Sequence, residues 1–117
     1  MAAIHRTIRQ RLLIPVINGT VLAVVFGLVS LLATAGGHGT YVPAALFFPG
    51  ALLLAIGLNV ISNSVLYVAA AQWPLYGATV GFAAGRGHKK EAIIWLTVVH
   101  ALLLAACFLF DRRGQFL

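Results

Sequence analysis

Residues Val42–Gly85 read VPAALFFPGALLLAIGLNVISNSVLYVAAAQWPLYGATVGFAAG, 44 residues without a charged side chain. As one helix rising 1.5 Å per residue, this stretch would extend about 66 Å, twice the thickness of a bilayer's hydrocarbon. The polar segment Asn59–Ser64, NVISNS, divides it into Val42–Leu58, with 17 residues, and Val65–Gly85, with 21. Two more apolar runs flank the pair: Leu12–Thr34 with 23 residues and Ala92–Phe110 with 19. A spanning helix needs about 20 apolar residues, within a range near 17–25. The sequence therefore predicts an all-α membrane protein of four transmembrane helices. The links AGGHGTY, NVISNS and RGHKKE are short, which makes successive helices antiparallel neighbours in one small bundle spanning residues 1–117.

Composition agrees. Of 117 residues, 62% are hydrophobic and 9% charged, with mean hydropathy +1.01, where a soluble domain carries about 25% charge. The net charge of +6 lies at the ends of apolar runs: Arg6, Arg9 and Arg11; Arg86, Lys89 and Lys90; Arg112 and Arg113. That placement suits lipid headgroups and orientation signals, and no basic-aromatic patch supports a nucleic-acid partner. The single cysteine, Cys107, excludes an internal disulfide and an all-cysteine metal site.

HRTIRQR before an apolar run resembles a cleavable leader. Its apolar core is longer than the usual 7–15 or so residues, so it reads as a first span with Pro15 near its start. With four spans and both termini in the cytoplasm, five basic residues face inward and three outward. Three spans would give six against two, a better fit to the positive-inside rule. The excessive length of an unbroken Val42–Gly85 decides for four, in an integral membrane setting such as a bacterial inner membrane.

The runs contain no Asp, Glu, Lys or Arg, which speaks against ion-coupled transport and against membrane hydrolases, both of which use embedded ionisable groups. His100 is the one imidazole within a run. Without a second embedded histidine it is expected to hold no haem or metal, and to hydrogen-bond a neighbouring helix, with Thr97 one turn away as a candidate partner. No cofactor is expected. Asn59 and Asn63 share a face if that region is helical, as the lining of a polar vestibule or, more simply, a headgroup-level turn capped by Ser62, Asn63 or Ser64. Asn18 and Gln72 read as interhelical hydrogen-bonding groups. Tyr41, Tyr67, Trp73, Tyr76 and Trp95 read as an aromatic belt.

Gly77, Gly81 and Gly85 recur at every fourth position. Each costs a helix interior about 1 kcal/mol against alanine, so the spacing predicts a groove into which another helix packs, from this chain or a partner.

The chain resembles the small multidrug resistance transporters in length, but its first span carries Asn18 and Thr20 and no acid. Fluoride channels share the four short spans, yet their glycine-, asparagine- and phenylalanine-rich pore motifs are missing. No family follows. The leading expectation is a non-enzymatic membrane protein that binds another membrane component, as an accessory subunit or inhibitor. The rival is a small homo-oligomeric channel or transporter.

Overall fold

The computed structural model describes residues 2–35, 41–111, 114, 116 and 117, with side chains from residue 9 to 33 in the first segment. The sequence positions His38, Arg112 and Arg113 and the side chain of Arg6 lie outside the described residues. Among the described residues there are five helices and no strand: α1 (Ala2–Ala35), α2 (Val42–Phe47), α3 (Pro49–Leu58), α4 (Asn63–Gly85) and α5 (Lys89–Phe110).

Proline and asparagine set the breaks. Pro49 donates no N–H and disfavours helical backbone in the residue before it, so Phe48 leaves the helix at φ −134°, ψ 55° and separates α2 from α3. Asn59 ends α3 in the left-handed region at φ 56°, with its N–H on the carbonyls of Ala55 and Ile56. Asn59 and Asn63 therefore belong to different helices, and both are exposed. The shared polar face does not form, and the segment is a turn between α3 and α4 in which Ser62 holds the N-cap position without a side-chain cap bond.

Packing contacts fix the direction of each helix. Pro15 of α1 meets Gly77 and Gly81 of α4, while Gly19 meets Trp73, so α1 and α4 run antiparallel. The tight Arg86–His88 turn and the Tyr76–His100 contact make α4 and α5 antiparallel as well. Between them, Val42–Leu58 does not run the length of the bundle. Tyr41 packs on Phe116, just past the end of α5. Leu46 reaches His100, at the middle of α5, and Pro49 then lies against Cys107. Gly50 faces Gln72, and Leu58 returns to the start of α4. The segment enters and leaves at the same end.

This corrects the expected four antiparallel runs. Three helices traverse the molecule and α2–α3 is a hairpin between them. The reason is local: the Phe48–Pro49 break folds 17 apolar residues back on themselves, so the 44-residue length no longer requires two crossings. Arg86 consequently sits at the same end as Arg11, and the end of α5 lies opposite the start of α1. That contradicts the expected placement of both termini on one side.

The buried residues Ala45, Phe48, Ala51, Leu52 and Ala55 belong to this hairpin, which is clasped by α4 and α5, and Val65 and Cys107 of those helices complete the cluster. α1 lies outside, along α4 and against α2. Two stretches, Arg9–Ala33 and Lys89–Phe110, are long and apolar enough to cross a membrane, with hydropathy 2.4 and 2.5. Their large side chains point outward, with Leu32 71% and Leu109 73% exposed. Soluble monomers rarely present such continuous apolar faces. α4 is less apolar because Asn63, Ser64, Gln72 and its glycines dilute it.

Candidate functional site

A helix break deep in a bundle strands backbone carbonyls, and in an apolar medium each stranded group is costly. Here the neighbouring helices supply donors. His100 Nε2 donates to the Leu46 carbonyl at 2.7 Å, Trp73 Nε1 to the Phe47 carbonyl at 2.9 Å, and Cys107 Sγ to the Pro49 carbonyl at 3.2 Å. The Phe48 carbonyl accepts from Leu52 N–H at 3.0 Å. Because a carbonyl can only accept, His100 Nε2 is the donor there, and in the neutral ring Nδ1 accepts from the Tyr76 hydroxyl at 3.2 Å. Tyr76 in turn accepts from Gln72 Nε2 at 3.3 Å.

His100 is thus occupied by Tyr76 and Leu46. Both partners lie on other helices, and Thr97 is not among them, since its hydroxyl turns back to the Ile93 carbonyl of its own helix. Gln72 bonds within α4 rather than across helices, and its buried Oε1 faces Gly50 without a hydrogen-bond donor. Trp73 and Tyr76 are drawn out of the expected belt into a ring cluster: Phe26 stacks on Phe47 at 4.2 Å, with Trp73 at 5.0 Å from Phe26 and 5.8 Å from His100. Tyr67 and Trp95 stay exposed. Among the described residues, no three His, Cys, Asp or Glu side chains gather where a metal could be held.

The glycines divide. A Cβ on Gly77 would strike the Pro15 carbonyl, and one on Gly81 would lie 3.1 Å from Pro15 Cγ and 3.2 Å from the Arg11 carbonyl. Pro15 sits deep in α1, not near its start, because the helix begins at Ala2. It offers no N–H to the Arg11 carbonyl. Gly85 meets nothing within 4 Å, so the predicted groove closes over two glycines and not three. Beyond Gly81 the helices part, leaving a small recess of about 250 Å³ lined by Arg11, Phe82, Gly85 and Arg86. Arg86 lies over the Phe82 ring at 4.2 Å. The matching residue on α1 is Gly19, where a Cβ would strike the Trp73 carbonyl. A lone glycine in an apolar run carries no spacing signal, so sequence reasoning passed over it.

Against the hairpin lies a second, larger cavity. Among the described residues, the backbones of α1 and α5 stay apart. Between them, floored by Trp73, Tyr76, Gly77 and Val80 of α4, opens a cleft of about 610 Å³. Pro15, Asn18 and Leu22 form one wall, and Lys89 through Leu104 the other. Asn18, expected to bond across helices, has no partner among the described residues and faces this space. Lys89 stands at one end. Arg9, Lys90 and Arg86 are exposed at that same end of the molecule, where His88 and Glu91 approach to 4.0 Å.

No protein-family model matches the chain, and no curated protein or solved structure is similar to it.

Proposed function

We propose that the chain is a non-enzymatic integral membrane protein that crosses the bilayer with α1, α4 and α5, carries α2–α3 as a re-entrant hairpin, and binds another membrane component in the cleft between α1 and α5. The observation that carries this reading is the cleft itself. The two helices long and apolar enough to cross a membrane stand apart over a glycine-bearing floor instead of packing together. Association inside a bilayer depends on shape and hydrogen bonding, and an unfilled space between helices forgoes both. Three crossings place six basic residues, Arg6 to Arg11 and Arg86 to Lys90, on the N-terminal side, against the pair that follows α5. The N-terminus is then cytoplasmic and the C-terminus is not.

A channel reading is less well supported. Re-entrant segments build ion filters from free carbonyls, whereas every carbonyl from Leu46 to Pro49 is already engaged.

A photo-crosslinking side chain at Leu96, in the cleft wall, tests this in intact membranes. The expected result is a discrete adduct from position 96 and none from exposed Leu58. Equal labelling at both positions would remove the cleft as a binding site.

A further inference from the structure

The cleft has the depth of one leaflet. Along α5 it runs from Lys89 to Leu104, a rise of about 22 Å at 1.5 Å per residue. Half a bilayer, headgroups included, measures about 20–22 Å. From the level of His100 onward α2, which touches both α1 and α5, enters the space between them, so the cleft ends blind beside the hairpin tip. A spanning helix of a partner would need the full hydrocarbon thickness, and the tip stands in its way. Among the described residues, Lys89 is the one charged residue in the lining, and it stands at the open end. Arg9, Arg11, Arg86 and Lys90 surround that end of the molecule, with Glu91 as the sole acid there. Length, apolar walls and charge match an amphiphile with one anionic end.

We infer that the cleft seats a single anionic phospholipid of the leaflet that meets the start of α1, its phosphate at Lys89 and one acyl chain running to Leu104. This rests on the membrane reading given above. Asn18 separates this occupant from a protein helix. An acyl chain offers its amide nothing, whereas a partner helix in the cleft would hydrogen-bond it.

Trp73 lines the blind end and reports occupancy once Trp95→Phe removes the second tryptophan. The full chain is placed in phosphatidylcholine vesicles with increasing fractions of acyl-brominated lipid. Brominated phosphatidylglycerol should quench Trp73 at about fivefold lower mole fraction than brominated phosphatidylcholine, the factor one surface lysine supplies. Lys89→Gln should abolish that preference, and Asn18→Leu should leave it unchanged. Equal quenching by the two lipids, or a preference that survives Lys89→Gln, overturns the inference. So does quenching by either lipid that appears only after Asn18→Leu, which marks a helix in the cleft. Cysteines replacing Leu22 and Leu104, in a Cys107→Ser background, separate the two levels. If a short bifunctional reagent bridges them, the cleft is closed and the binding reading itself fails. If they stay unbridged while no lipid preference is seen, the phospholipid inference alone fails.

Discussion

Gly77→Leu is expected to force α1 off α4 and to be the most damaging single substitution in the chain. Overpacking a close contact typically costs about 1–3 kcal/mol, and the upper end or more applies where the obstructing atom cannot rotate away. At Gly77 it cannot, because a Cβ there meets the Pro15 backbone carbonyl and not the tip of a side chain. Gly19→Leu, which meets the Trp73 carbonyl from the other helix, should be equally harmful. Gly85→Leu adds bulk to open space at the same helical spacing and should stay within about 0.5 kcal/mol of the parent. Thermal unfolding in mild detergent measures all three. A Gly77→Leu chain as stable as Gly85→Leu would show that α1 and α4 do not meet backbone to backbone.

His100→Ala is expected to loosen the hairpin from its tip. The change strands the Leu46 carbonyl and removes the acceptor of the Tyr76 hydroxyl. The Leu46 carbonyl is exposed on the apolar surface and Tyr76 is half-buried, so in the bilayer reading neither finds water, and each group left unpaired there costs about 1–3 kcal/mol. Trp73→Phe keeps a ring against Phe26 while stranding the Phe47 carbonyl, so it should cost a similar amount. Cys107→Ser keeps a donor toward Pro49 and should be mild by comparison. Hydrogen exchange at the Phe48 and Leu52 amides reads the effect directly, because both bonds lie at the tip. They should exchange faster in His100→Ala and Trp73→Phe. Unchanged exchange in both variants would mean that the side-chain donors do not hold the break in place.

The helical class and the limits of the apolar runs were legible from hydropathy alone, since charged residues fall only between or beyond the runs. The path of Val42–Leu58 was not. A run of 17 apolar residues has the same composition whether it crosses or doubles back, and the deciding feature, Pro49 after two phenylalanines, reads locally as a kink of unknown angle. What settles the direction is a set of contacts far apart in sequence, between Leu46 and His100 and between Pro49 and Cys107. The charge pattern did hold a clue, because six basic residues against two fits three crossings better than five against three fits four. At the site, Gly77 and Gly81 could be found by their spacing, whereas Gly19 and the cleft depend on where α1 and α5 stand apart. His100 stood out as the one embedded imidazole, but its partners lie on other helices and leave no local signature.

The hairpin account makes a side assignment for every loop, and sided cysteine labelling tests it directly. In a Cys107→Ser background, single cysteines replace Gln10, Asn63, His88 and Gly114, and an impermeant maleimide is applied to one face of the membrane. Three crossings with a re-entrant hairpin predict that positions 10 and 88 label from one face, and positions 63 and 114 from the other. Labelling of positions 10, 63 and 114 together, with 88 alone on the opposite face, would mean that Val42–Leu58 crosses the bilayer and would contradict the account.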